Sequence, residues 1–240
     1  MLRLFCLPYS GASAMLYARW KRQLPEWIEV CPVELPGRGR RFAESLQTDL
    51  RALAGQLADE IAGRLDQPYA LFGHSLGGLL IFELAHALRE RGLPLPQALF
   101  ASAASAPSRR DSHRELAQEQ SDAQLIERMQ RLGGTSAAVF ADAEMLALTL
   151  PVMRADFLLC GRYDYRRHPQ LTCPIHVFGG KGDRLSVESL SAWQDETCAG
   201  FSLEMLEGGH FFINTDEARL LELMLGRLQQ PGKPSSAALA

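Results

Sequence analysis

The residues with the clearest chemical potential in this chain form the pentapeptide G-H-S-L-G at positions 73–77, a G-x-S-x-G sequence. A short apolar segment, 69–72, precedes it, and apolar residues at helical spacing follow it. A strand, a sharp turn and a helix are the context in which such a serine becomes an exposed nucleophile. The sequence therefore predicts acyl-transfer chemistry on Ser75, with the free N–H of Leu76 at the helix start as an oxyanion donor.

A serine nucleophile needs a general base, and six histidines compete for that role. We expect His210, because it follows the predicted strand 201–206 in a turn with two glycines, where catalytic groups of parallel sheets gather. The other five have weaker contexts: His74 within the pentapeptide but directed away from Ser75, His86 on a helix, His176 inside a strand, and His113 and His168 in polar loops.

The base needs an orienting carboxylate, and Asp183 is the favoured candidate. It lies in the glycine-rich loop 179–183, directly after the predicted strand 174–178, and gives the chain order serine, acid, histidine. An ordinary turn aspartate is the alternative interpretation. Asp164, Asp195 and Glu207 are rivals, in the predicted helical insertion, at a helix end and in the loop of His210.

A second oxyanion donor is expected from the loop after an early strand. The small residues of segment 8–13 fit this position, and the amide of Ser10 is the candidate. The alternative interpretation is that these small residues form an ordinary turn without a role in catalysis.

These residues require a scaffold in which strands alternate with helices. Strand patterns cover 2–7, 28–33, 69–72, 98–101, 174–178 and 201–206, with helical patterns between them. We therefore expect an α/β fold with a mostly parallel sheet flanked by helices. One domain should span 1–228, with a helical lid inserted at about 106–166, and the tail 229–240 should be disordered.

Within the insertion, helical patterns cover 122–132, 141–150 and 154–165. Met145, Leu148 and Met153 could line a pocket there, although their helical spacing favours the core of the lid.

The composition argues against several classes of protein. A net charge of −3 without charge runs argues against a nucleic-acid partner. Five cysteines without a C-x-x-C pair favour buried, reduced thiols. The apolar N-terminus is too short for a signal peptide, and no run reaches the length of a membrane span. We expect a monomeric cytoplasmic protein.

Several segments together resemble the type II thioesterases of nonribosomal peptide and polyketide assembly lines, in the α/β-hydrolase superfamily. Segment 35–41 is similar to the family's L-P-G-R-G-x-R sequence, 73–78 to its G-H-S-x-G-G elbow, and 150–157 to its P-x-L-R-A-D lid helix. Segments 179–183 and 208–212 match its acid and histidine loops. Segment 7–11 is similar to its F-P-x-A-G-G loop, with Ser10 in place of alanine and Ala12 in place of the second glycine.

The resemblance implies Ser75 as nucleophile, His210 as base, Asp183 as orienting acid, and the amides of Ser10 and Leu76 as oxyanion donors. The implied reaction is hydrolysis of an acyl thioester on the phosphopantetheine arm of a synthetase carrier domain, without a metal or diffusible cofactor. A small-molecule carboxylesterase or lipase on the same fold, and a non-catalytic protein that docks to a synthetase, remain as alternatives.

Overall fold

The computed structural model describes residues 1–110 and 116–229. Within them, six parallel strands form one sheet in the order β2-β1-β3-β4-β5-β6. The strands are β1 (Leu2–Leu7), β2 (Ile28–Pro32), β3 (Tyr69–His74), β4 (Leu99–Ser102), β5 (Ile175–Gly180) and β6 (Phe201–Leu206). The predicted α/β architecture, a mostly parallel sheet flanked by helices, is confirmed.

Helices join the strands and cover the sheet. In the described residues they are α1 (Trp20–Gln23), α2 (Leu50–Ile61), α3 (Leu76–Glu90), α4 (Asp122–Leu132), α5 (Ala137–Ala141), α6 (Ala143–Gly161), α7 (Val187–Ser191), α8 (Phe212–Thr215) and α9 (Glu217–Gln229). None of them is both long enough and apolar enough to cross a bilayer.

Successive side chains of a strand point to opposite faces of the sheet, so the core is divided into two clusters, one on each face. In β1, Phe5 and Leu7 face the cluster that contains α2 and α3, whereas Leu4 and Cys6 face the cluster that contains Trp20 of α1 and the apolar side of α9. Helix α3 is buried along nearly its whole length. Burial on both faces makes the sheet a rigid base for the loops at its carboxyl edge.

In the described part of the chain between β4 and β5 lie the α-helices α4, α5 and α6. The sequence predicted two helices, 141–150 and 154–165, where the structure has the single helix α6. Pro151 removes one helical hydrogen bond, but the buried residues that follow it hold the helix together by packing. His113 and the predicted tail beyond Gln229 lie outside the described residues.

The cysteines follow the prediction with one exception. All five are free; Cys6, Cys31, Cys160 and Cys173 are buried, and Cys198 is exposed.

Two histidines that the sequence placed on a helix and in a polar loop stack on each other. The rings of His86 and His168 lie 4.2 Å apart and nearly parallel. His86 is buried, and neither of its ring nitrogens has a hydrogen-bond partner among the described residues. Burial, followed by the charges of His168 and Arg89, lowers the pKa of His86 to about 3. His86 is therefore neutral in the folded protein.

This burial gives the protein an acid-sensitive stability. The unfolded chain takes up a proton on His86 near its ordinary pKa of about 6.5, and the folded chain does so only near 3, so stability present above pH 6.5 is lost as the pH falls. We expect the free energy of unfolding, measured by urea titration, to fall between pH 7.5 and pH 5 by about 2 kcal/mol less in His86→Phe than in the parent protein. The pKa values of His74 and His176 are also lowered, so both proteins should still lose some stability as the pH falls. Identical pH dependence in the two proteins would contradict this account.

Candidate active site

Ser75 lies in a turn whose backbone has no room for additional side chains. It has φ +55°, a conformation that L-residues rarely adopt. A Cβ on Gly73 would overlap the Gly77 carbonyl, and a Cβ on Gly77 would overlap the carbonyl of Leu7 in β1. The two glycines thus allow β3, α3 and β1 to approach closely enough to support the strained serine.

Ser75, His210 and Asp183 are joined by hydrogen bonds. Ser75 Oγ lies 3.0 Å from His210 Nε2, and His210 Nδ1 lies 2.8 Å from Asp183 Oδ2. Because a carboxylate only accepts, the proton of a neutral imidazole must lie on Nδ1. Nε2 is then free to accept the hydroxyl proton of Ser75, which is the arrangement that a nucleophile, a base and an orienting acid require.

The loops that carry Asp183 and His210 meet because β5 and β6 are neighbours in the sheet, with Gly180 paired to Leu206. Beyond the strands, the Gly182 amide donates to the Gly208 carbonyl at 2.8 Å. The contact between the two glycine-rich loops brings the acid within reach of the histidine.

Among the described residues, Asp183 is the acid whose carboxylate bonds to the His210 ring. Of its three rivals, Glu207 pairs with Lys181 instead, and in the described part of the chain no bond joins the carboxylate of Asp164 or Asp195 to His210.

Asp183 remains charged in this setting. Burial raises its pKa, but hydrogen bonding and the positive field of His210, with the backbone amides of Arg184 and Leu185, more than compensate. The net effect holds the pKa of Asp183 below its ordinary value. A charged carboxylate at this position would stabilise an imidazolium at His210 if that ring accepted a proton.

A second serine–histidine pair lies beneath the first. His74 Nδ1 is 2.9 Å from Ser102 Oγ, and His74 Nε2 is 2.9 Å from the His210 carbonyl oxygen. The carbonyl can only accept, so the neutral ring donates through Nε2 and accepts from the Ser102 hydroxyl. Both side chains are fully buried, and burial, then His210, lowers the pKa of His74 to about 3. This pair supports the backbone of the His210 loop and has no access to a substrate.

The loop that contains Ser10 lies beside Ser75 because β1 and β3 are neighbours, with Leu7 paired to Gly73. Gly11 carries the positive φ of this loop, +80°. Ala12 is not among the described residues with positive φ, so an alanine is tolerated at that position. Leu76 is the first residue of α3, where an amide has no intrahelical acceptor.

A cleft of about 720 Å³ opens above these groups. Ser75, His210 and Asp183 line its base, and Met129, Met153 and Phe157 of α4 and α6 line its wall. Helical spacing favoured a core position for Met145, Leu148 and Met153. This was wrong for Met145, which is 44% exposed, and for Leu148, which is 59% exposed; Met153 is buried and also lines the cleft.

Sequence reasoning missed the partner of Arg38. This arginine, in the P-G-R-G segment, forms a bidentate ion pair with Asp156 of α6, with both distances 2.6 Å. In the sequence the two residues belong to separate motifs 118 positions apart, and nothing in that spacing links them. The available signal was a single aspartate within an apolar helical stretch, since buried charges need partners.

Comparisons with known proteins find similarity to thioesterases over nearly the whole chain. A family model described as the Thioesterase domain matches residues 2–228. The Gramicidin S biosynthesis protein GrsT of Aneurinibacillus migulanus is 39% identical over 233 residues, which cover 95% of this chain and 89% of that protein.

Solved structures are similar as well. RedJ, a thioesterase from the prodiginine biosynthetic pathway of Streptomyces coelicolor, superposes with a TM-score of 0.85 at 39% identity, covering 93% of this chain and 89% of that one. BorB, a type II thioesterase from the borrelidin biosynthetic cluster, has a TM-score of 0.84 at 35% identity, covering 95% and 92%.

The tight turn around Ser75 predicts a sharp difference between two glycine-to-alanine variants. Gly73→Ala should slow covalent labelling of Ser75 by a fluorophosphonate at least about 10²-fold, because the methyl group displaces the serine from its partners. Gly63→Ala is the matched control, since a Cβ there meets no atom within 4 Å. The check is the second-order rate constant of labelling, corrected for the folded fraction. Equal rates for the two variants would contradict the steric argument.

Proposed function

Because the chain belongs to the thioesterase domain family and is a type II thioesterase of nonribosomal peptide and polyketide synthesis, we propose that it has a catalytic triad. The triad consists of Ser75, His210 and Asp183. Its substrates are acyl groups held as thioesters on the phosphopantetheine arms of carrier domains. Their hydrolysis clears stalled or misprimed synthetase modules. The hydrogen-bonded series from Ser75 to Asp183 at the base of an open cleft is the observation that carries the assignment.

In the first half of the reaction, Ser75 Oγ attacks the thioester carbonyl while His210 Nε2 accepts its proton. Asp183 holds the imidazole by accepting from Nδ1–H and stabilises its positive charge. The carbon–sulfur bond then breaks, and the pantetheine sulfur leaves as a thiol with the proton from His210. Because thiols are more acidic than amines, this step needs less acid assistance than amide cleavage.

In the second half, His210 removes a proton from water, which attacks the acyl-serine ester. The free acid leaves, and the proton returns to Ser75. Both halves pass through a tetrahedral oxyanion, and the amides of Ser10 and Leu76 are the proposed donors to it. Their places, in the loop after β1 and at the start of α3, support this role.

The cleft suits an extended arm that must reach a recessed serine. Helices α4 and α6 contribute both apolar and polar side chains to its wall, and acyl groups would pack against the apolar ones, Met129 and Phe157. Carrier domains operate in the cytoplasm, and the free cysteines are compatible with that compartment.

Removal of the nucleophile tests the triad directly. Ser75→Ala should lower kcat for release of a short acyl group from a loaded carrier domain by about 10⁶-fold, and Asp183→Asn by about 10⁴-fold, because the latter changes the tautomer of His210. Ser102→Ala, in the buried pair, is the control and should stay within about tenfold of the parent protein. The outcome that contradicts the assignment is a Ser75→Ala variant with parental turnover.

The thioester preference is tested by presenting one acyl group in three forms. The values of kcat/KM should be highest for the acyl-carrier domain, intermediate for acyl-pantetheine and lowest for the p-nitrophenyl ester. A carrier domain adds docking contacts, and pantetheine adds cleft contacts, that the simple ester lacks. A higher kcat/KM for the p-nitrophenyl ester than for the loaded carrier would favour a general esterase instead.

A further inference from the structure

The Asp156 carboxylate joins three separate parts of the fold. It lies on α6, accepts two hydrogen bonds from Arg38 in the loop after β2, and accepts a third from the Gly11 amide in the loop after β1. The Gly11 nitrogen lies 2.8 Å from Asp156 Oδ2. Two motifs that the sequence resemblance singled out, P-G-R-G and R-A-D, therefore meet at the loop that contains Ser10.

This contact is sealed from solvent. Asp156 is fully buried, and the side chain of Arg38 is only 7% exposed. A charge-assisted hydrogen bond in such a setting is strong and directional, and the bidentate geometry fixes the orientation of the carboxylate. The Gly11 amide therefore has an acceptor held in place by a second charged group.

The loop is also held at the residues that follow Gly11. Arg38 also approaches the Ala12 carbonyl, at 3.4 Å, and Glu34 accepts from the Ala14 amide at 2.9 Å. A Cβ on Gly11 would overlap the sulfur of Met153, which lies on α6 three residues before Asp156. Helix α6 thus contacts the loop by packing as well as by charge.

We infer that Asp156 and Arg38 are positioning residues for the oxyanion hole, holding the Ser10 amide toward the carbonyl attacked by Ser75. This inference rests on the proposed function and on Ser10 as an oxyanion donor. Fixing the Gly11 amide fixes the peptide unit between Ser10 and Gly11. The Ser10 N–H belongs to the preceding peptide unit, which is joined to the fixed unit at the Ser10 Cα. Its orientation is therefore restricted. Since Asp156 belongs to α6, the seating of this helix and the oxyanion hole depend on each other.

The inference predicts a loss in kcat rather than in substrate binding. Asp156→Asn is the sharpest variant, because the three N–H donors now face one carbonyl oxygen and one NH₂ group, which cannot accept. Its kcat on acyl-pantetheine should fall about 10²–10³-fold, the effect of losing one oxyanion donor. Its KM should stay within about threefold, because the ground state makes little use of the oxyanion hole.

A transition-state analogue separates positioning from general destabilisation. An alkyl boronic acid forms a tetrahedral anion on Ser75, so its inhibition constant should rise in parallel with the loss of kcat. Glu204→Gln is the matched control, since it breaks the remote pair between Glu204 and Arg227, 2.9 Å apart, and should change neither value.

A double variant keeps the inference falsifiable if Asp156→Asn folds poorly. Arg38→Met with Asp156→Leu replaces the ion pair by apolar side chains, an exchange that buried pairs often tolerate. If the pair is only structural, kcat should recover with stability, measured by urea titration. We expect the folded double variant to keep the low kcat and the weak boronate affinity, because the Gly11 amide still lacks its acceptor.

The outcomes distinguish this inference from the proposed function. A parent protein without Ser75-dependent thioesterase activity would overturn the proposed function. An active parent protein whose folded Asp156→Asn and double variants keep kcat and boronate affinity within threefold would overturn only the positioning role.

Discussion

Close backbone packing at the carboxyl edge of the sheet is the constraint on which the rest of the site depends. Gly73 and Gly77 let β3, α3 and β1 approach until no Cβ fits between them, and this contact supports Ser75 at φ +55°. The neighbouring strands then determine what surrounds the serine: the loop after β1 on one side, and the loops after β5 and β6 beyond β4. The chemistry of the serine is therefore set by strand order as much as by its own turn.

Much of this arrangement could be predicted because its signals are local. The strands β1 and β6 have the predicted limits, and Ser75, Asp183 and His210 lie directly after strands in glycine-containing turns. Such turns are short, and their residue types follow from the backbone that they require. The parallel alternation then brings the three residues to one edge, where the structure joins them by hydrogen bonds.

The parts that could not be predicted depend on contacts between distant segments. The pairing of Arg38 with Asp156 spans 118 positions, and the stack of His86 on His168 spans 82, so no spacing rule reveals either. The continuity of α6 through Pro151 has the same origin, because tertiary packing outweighs the local preference to end a helix at proline. Likewise, helical periodicity alone does not determine whether Met145 faces the core or solvent.

Helix α6 carries Met153 and Asp156 one turn apart, so the side chain that shapes the cleft wall and the one that anchors the Ser10 loop share a face. An evolutionary change that shifts α6 to admit a bulkier acyl group also moves the anchor of that loop. Under the positioning role inferred for Asp156, selectivity and turnover are therefore not independent traits in this fold.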